Sequence, residues 1–196
     1  MRRGTIRRKT SETEVSVEID LDGKGQGEID TSLPFLDHML NLFARHGLFD
    51  LTLRGRGDTE VDHHHLVEDV GICLGQAVRK ALGDRRGISR YGSSRVPMDE
   101  SLCGVAMDLS GRPYLVYRAE FGERRIGGFD PALLRELFKS FSDHGGITLH
   151  IDLVYGTNAH HMAEAMFKAF ARALREAVAV DARIEGVLST KGSLEA

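Results

Sequence analysis

DHHHLVED, Asp62 to Asp69, and NAHHMAEA, Asn158 to Ala165, decide how this chain is read. Both hold His-His-x-x-Glu: His64, His65 and Glu68, then His160, His161 and Glu164, at an offset of 96 residues. Each opens an apolar-periodic run that predicts a helix. Residues four apart share a helix face, and the next residue is turned about 100° away. So His64 with Glu68 and His160 with Glu164 form chelating pairs, while His65 and His161 point elsewhere. If the two helices face each other about a two-fold, each spare histidine completes the other helix's site. One HH pair alone reads as surface polarity. Two copies inside a repeat, each with its i+4 glutamate, point to metal.

The repeat extends outward from these motifs. VEIDLDG at 17–23 matches VAMDLSG at 105–111, an offset of 88, and LTLR at 51–54 matches ITLH at 147–150, an offset of 96. Val15, Val17, Ile19 and Leu21 alternate with polar residues, which predicts a strand, and Glu28 to Asp30 offer a short strand to pair back. A helix follows, with Ser32 as cap, Pro34 in its first turn and Leu36, Met39, Leu40 and Phe43 as its apolar stripe. Leu48 to Gly55 reads as a strand, and Asp62 caps the next helix. The pattern then restarts: a hairpin through Ser110 to Pro113, a helix opened by Asp130 and Pro131, a strand at Ile147 to Gly156, and a helix capped by Asn158. Residues 1–9 read as an exposed first strand or arm. Strand, helix, strand, helix thus occurs twice. The expectation is an α+β fold made of a duplicated unit, each half too small to bury its own face, with helices against helices and sheets outside. The glycine- and arginine-rich link Gly83 to Gly92 marks the halves: 1–90, then 91–196 with the tail, in one pseudo-symmetric domain.

Composition narrows the function. The 196 residues are 41% apolar, enough for a core, and the net charge of −3 argues against wholesale nucleic-acid binding. The two cysteines, Cys73 and Cys103, lie in apolar runs without metal spacing, as buried thiols of a reducing compartment do. The twin arginine near the start has no apolar run after it, and no run approaches the ~20 residues of a membrane span. A soluble cytoplasmic protein is expected.

The repeat also predicts more ligands. Allowing the turn before the second motif two fewer residues (GLFD against GG) pairs His38 with Glu136 and His46 with His144. The expected sites are His64, Glu68, Glu136 and His161, and His38, His65, His160 and Glu164. Nitrogen and oxygen ligands without thiolate favour octahedral Mn²⁺, Fe²⁺ or Co²⁺ over a closed structural Zn²⁺. Arg90, Arg112, Lys168 and Lys191 are candidate anion holders, the last beside Ser189 and Thr190. The pairs Arg85-Arg86 and Arg124-Arg125 read as solvated charge.

At this point the sequence resembles one family closely, the imidazoleglycerol-phosphate dehydratases of histidine biosynthesis. TEVSVEIDLDG, LPFLDHML, ARHGLFDLTL, HHLVEDVGICLGQAV, GISRYG, MDLSGRPYL, ITLHI, NAHHMAEAMFKAFARAL and STKG carry the likeness, from about Arg7 to Gly192. Departures from the family pattern are Glu136, where many members carry His, Leu66, where Thr is common, and the added His63. The resemblance implies helices sandwiched between two four-stranded sheets, in ribosomal protein S5 domain 2-like halves. It implies two Mn²⁺ per active site on the eight ligands above, and a 24-subunit homo-oligomer with sites between subunits. It places substrate contacts at Glu12, Arg90, Arg112, Lys168, Ser189, Thr190 and Lys191. The implied reaction dehydrates D-erythro-imidazoleglycerol phosphate to imidazoleacetol phosphate, with the substrate imidazolate held by a dinuclear metal site and Glu164 or Glu12 moving protons. Other readings of the histidine clusters are a dinuclear phosphate-ester hydrolase and a non-enzymatic metal-binding shell. An RNA-binding α+β module is disfavoured by the acidic balance.

Overall fold

The computed structural model describes residues 2–122 and 125–194, so Arg124 lies outside the described residues. Among these, the first half contains β1 (Arg3–Lys9), β2 (Thr13–Asp20), β3 (Gly27–Asp30), α1 (Pro34–Gly47), β4 (Asp50–Gly57) and α2 (His64–Leu82). The second contains β5 (Tyr91–Met98), β6 (Ser101–Asp108), β7 (Tyr114–Arg118), α3 (Leu133–Gly145), β8 (Thr148–Tyr155) and α4 (Ala159–Ala177). The sheets run β1-β2-β4-β3 and β5-β6-β8-β7, the same order twice. The alternation seen in β2 buries Val15, Val17 and Ile19 on one face, because side chains alternate along a strand. That face receives α2, and the matching face of β5 and β6 receives α4. The helices pair α1 with α4 and α2 with α3, which gives the layer order sheet, helices, helices, sheet. The two His-His-x-x-Glu helices therefore take α3 and α1 as their main helical partners, rather than each other.

The duplication holds at the level of single atoms. A Cβ on Gly4 would lie 1.9 Å from the Ala77 carbonyl oxygen, and one on Gly92 would lie 2.0 Å from that of Ala173. These are matching positions where a strand backbone meets a helix backbone. Gly92→Val is expected to cost about 3 kcal/mol, an overpacking penalty, read as a lower denaturation midpoint. Gly128→Ala is the control, since nothing lies within 4 Å of a Cβ there.

Register corrects the sequence alignment. Val17 pairs with Leu53 and Val105 with Ile151, so β4 and β8 correspond at an offset of 98, and LTLR matches Leu149 to Asp152 rather than ITLH. A two-residue slip keeps every side chain on its own face, so alternation cannot distinguish the two offsets. The turns after α1 and α3 are equal in length. Leu48 and Gly146 both end their helices in the left-handed conformation, and the next residues, Phe49 and Ile147, donate back to the Ala44 and Ser142 carbonyls. The shortening instead follows β8, where three residues separate Gly156 from His160 against six between Gly57 and His64. His38 and Glu136 remain equivalent, at the offset of 98.

Two local expectations also change. Ser32 does not cap α1: it sits at φ 64°, and Asp37 Oδ1 instead reaches back to accept from Thr31 N at 2.7 Å and Thr31 Oγ1 at 2.6 Å. The short strand of each half forms no hairpin with the strand before it. Glu28 to Asp30 does not return onto β2 but joins β4 in parallel, and Ser110 to Pro113 leads not to a hairpin but to β7, which joins β8 in parallel.

The core between the sheets is aromatic at its centre. Phe170 on α4 lies between Phe43 and Phe141, with ring centroids 5.3 and 5.0 Å away. Those two phenylalanines are themselves equivalent, on α1 and α3. At the α2–α3 contact, by contrast, Gly71 and Gly75 bring the helices close: a Cβ would lie 2.5 Å from the Leu137 carbonyl oxygen or 2.6 Å from that of Phe141.

Candidate active site

Asn158 starts α4 by accepting from His160 N at 2.9 Å and from His161 N at 3.4 Å, which sets the second motif on the first turns of the helix. His160 and Glu164 then share a face, and α1, packed along α4, adds His38. His38 Nε2 is 3.0 Å and His160 Nε2 is 3.1 Å from the same oxygen, Glu164 Oε1. The other carboxylate oxygen accepts from Lys168 Nζ at 2.6 Å, and that ammonium also lies 3.1 Å from Met98 Sδ. Phe35 stands edge-on to His160, with centroids 5.6 Å apart. Burial opposes ionisation of Glu164, but hydrogen bonds from Lys168, His38 and His160 outweigh it and hold its pKa at about 2.

Among the described residues, His38, His160 and Glu164 are the one group of three or more His, Cys, Asp or Glu side chains whose ligand atoms lie within 4.8 Å of one another. Two imidazole nitrogens and a carboxylate oxygen converging on one point fit a divalent cation of nitrogen and oxygen preference. Two rings crowding one ionised oxygen is the arrangement expected where a cation would sit among them.

The first motif is placed equivalently but less tightly. Asp62 does not cap α2, whose N-cap position is held by His63 without a side-chain bond. Asp62 Oδ1 accepts from His64 N at 2.7 Å just ahead of the helix, which packs on α3 and hence on the helix carrying Glu136. His64, Glu68 and Glu136 do not gather within the distance that defines the other group, and Glu136 Oε1 accepts from Arg135 Nη1 at 3.2 Å. The outward histidines are turned aside, as helical spacing predicts. His65 Nδ1 lies 3.0 Å from Asp58 Oδ2, and His161 Nδ1 lies 2.7 Å from Glu100 Oε2. Those hydrogen bonds raise the pKa of both rings. Glu12 is 55% exposed at its side chain and comes no closer than 3.9 Å to His65 Nδ1.

The candidate anion holders form two sets. Arg90 donates its backbone N–H to the Ala177 carbonyl, at the C-terminal end of α4. Its guanidinium makes a two-pronged bond to Asp108, at 2.7 and 3.0 Å, and donates to the Leu188 carbonyl at 2.7 Å. That bond fixes the tail just before Ser189, Thr190 and Lys191, where Ser189 Oγ accepts from Lys191 N at 3.2 Å. Exposed Arg112 lies 3.8 Å from Asp108. Lys168, however, belongs with the histidine group. At 1.5 Å rise per residue, the run from Glu164 to Ala177 puts the two sets about 20 Å apart along α4.

Asp58, Glu100 and Asp108 were not singled out from sequence. Glu100 carried a usable signal: it repeats Glu12 at the offset of 88, in the turn between the equivalent first two strands.

Fold and site together define a class, the internally duplicated α+β proteins that carry a three-point His, His, Glu set on one helix pair. Comparison with known proteins narrows it further. Residues 31–174 match the family model for imidazoleglycerol-phosphate dehydratase. The chain is 65% identical over 195 residues to the imidazoleglycerol-phosphate dehydratase of Syntrophus aciditrophicus, covering 99% of both chains. It is 60% identical to that of Methylorubrum populi, covering 99% of this chain and all of that one. The crystal structure of the Staphylococcus aureus enzyme superposes with a TM-score of 0.83 at 37% identity, over 91% of this chain and 99% of that one. The chain belongs to the imidazoleglycerol-phosphate dehydratase family.

Proposed function

We propose that this protein is a hydro-lyase of histidine biosynthesis that converts D-erythro-imidazoleglycerol phosphate to imidazoleacetol phosphate. The full-length identity with dehydratases supports the reaction. The convergence of His38, His160 and Glu164 is the observation that carries the chemistry. These three would hold one divalent cation, completed by His65, and His64, Glu68 and Glu136 would hold a second, completed by His161. Mn²⁺ suits both ligand sets, which lack thiolate. When bound, the pair of cations supplies Lewis acidity and a template for the substrate's imidazole ring.

The chain's own residues divide the remaining work. Both oxygens of Glu164 are engaged and its pKa is about 2, so it suits ligation and is a poor proton acceptor near neutral pH. Glu12, exposed and without a side-chain hydrogen bond among the described residues, is the better proton carrier. Arg112, Ser189, Thr190 and Lys191 would bind the phosphate, with Arg90 holding the tail that presents them. Lys168 steadies Glu164 and offers a cation beside the histidine group. Phosphate bound away from the reacting carbons positions the ring.

Because the anion set and the histidine group lie at opposite ends of α4, a site that uses both draws them from different copies. That supports sites shared between identical chains in a closed symmetric homo-oligomer, which the family resemblance puts at about 24 subunits. No helix among the described residues is long and apolar enough to cross a membrane, in keeping with the cytoplasm as its place. The test is incubation of Mn²⁺-loaded protein with imidazoleglycerol phosphate. Ketone should form, stop on chelation, and resume when Mn²⁺ is restored. Loaded protein that binds metal but yields no ketone overturns the reading.

A further inference from the structure

The two spare histidines are held by carboxylates of different origin. In the first half the holder is Asp58, from the six-residue loop between Gly57 and His64. In the second half the corresponding loop has only Thr157, Asn158 and Ala159 between Gly156 and His160, with no acid among them. The loop ends do correspond. A Cβ on Gly57 would meet Leu66 and Thr13, and one on Gly156 would meet Met162 and Ser101, their repeat equivalents. The acid that reaches His161 therefore comes from elsewhere, the β5–β6 turn, and it is Glu100, the repeat equivalent of Glu12.

Glu100 is fixed at both oxygens. Oε1 accepts from Asn158 N at 2.7 Å, Ser101 Oγ at 2.8 Å and Thr157 N at 3.1 Å. Oε2 meets His161 Nδ1 at 2.7 Å. With two backbone amides and a hydroxyl all donating to Oε1, the carboxylate is held as an acceptor. Nδ1 of a neutral His161 must then carry the ring proton, and Nε2 keeps its lone pair. Nε2 has no hydrogen bond among the described residues, and its closest ion-pair contact is exposed Asp99 Oδ2 at 3.8 Å. A carboxylate on one ring nitrogen that leaves the other bare is the arrangement that orients metal-binding histidines.

We propose that the duplicated turn carboxylates have divided their roles: Glu100 is a positioning residue that presents His161 Nε2 to a divalent cation, whereas Glu12, relieved of that task by Asp58, is left to act on substrate. This rests on the two-cation reading above and extends it to a residue outside the ligand set.

Glu100→Gln tests it. Three donors meet Oε1, so the glutamine carbonyl takes that side and its NH₂ faces His161 Nδ1. The amide bonds at the start of α4 survive, but the ring is now offered a donor, which favours the tautomer with its proton on Nε2. Mn²⁺ binding is measured by chelator competition on the full assembled protein, with the denaturation midpoint of the metal-stripped form alongside. Two ions per chain are expected in the unsubstituted protein. Glu100→Gln should weaken one of them by ~10–100-fold, the loss typical of an outer-shell change, and leave the other ion and the stripped midpoint unchanged. Asp58→Asn should weaken the other ion. If the unsubstituted protein binds two ions and Glu100→Gln binds both as tightly, the positioning role is wrong. A drop in the stripped midpoint with equal weakening of both ions also overturns it, since Glu100 then only secures the fold. An unsubstituted protein that binds no Mn²⁺ fails the two-cation reading itself.

Discussion

His160→Ala is expected to lower kcat/KM by more than ~100-fold, because removing a ligand should exceed the loss from disturbing its outer shell. Bound Mn²⁺ should fall from two ions per chain to one. The side chain is 40% exposed, and the helix start is capped by Asn158 rather than by the ring. The fold should therefore survive, with a denaturation midpoint close to that of the parent in the metal-stripped form. The remaining ion distinguishes a lost ligand from a lost structure. If His160→Ala retains both ions and its activity, the His38, His160 and Glu164 group is not a metal site, and the hydrogen bonds at Glu164 Oε1 are only structural.

Equally large is the effect expected from mixing two inactive chains. One carries His160→Ala with Glu164→Gln and lacks the histidine group. The other carries Arg112→Ala with Lys191→Ala and lacks the exposed cations of the anion set. Each alone should show little turnover. Because the sets stand about 20 Å apart along α4, a site that needs both must draw on two copies. Random co-assembly of equal amounts should then restore about a quarter of the sites, as expected when two independent parts come from different members of a symmetric oligomer. The measurement is activity of co-expressed chains against each chain alone. No recovery in assemblies shown to contain both chains would place the whole site within one copy.

Much of this was legible in the sequence because it depends on period. Helical spacing put His160 and Glu164 on one face and turned His161 away, and both hold in the structure. Strand alternation revealed the core face of β2. Features that period does not encode were not legible. The offset of β8 differs by two residues from the one the LTLR and ITLH match implies, because a two-residue slip leaves the apolar face intact. Ser32 has the chemistry of a cap, but Asp37 competes for the same donors from inside the helix. The pairing of α2 with α3 depends on Gly71 and Gly75, small residues that any helix scan reads as weak points. The holders of His65 and His161 come from a loop and a turn, and only contact in space identifies them.

The unequal helix contacts make each half depend on the other. Phe167 and Phe170 on α4 occupy the places that Gly71 and Leu74 hold on α2, so bulk on one helix is matched by its absence on the other. A self-paired first half would set α1, shaped against Phe170, upon a helix with leucine there, leaving a void. A self-paired second half would press α3 against rings where it now meets glycine. Each half has thus become the mould for the other. A side chain at Gly71 would run into the Leu137 backbone carbonyl, 66 residues along the chain, which every residue there would carry, so the glycine of the first copy is dictated by the main chain of the second.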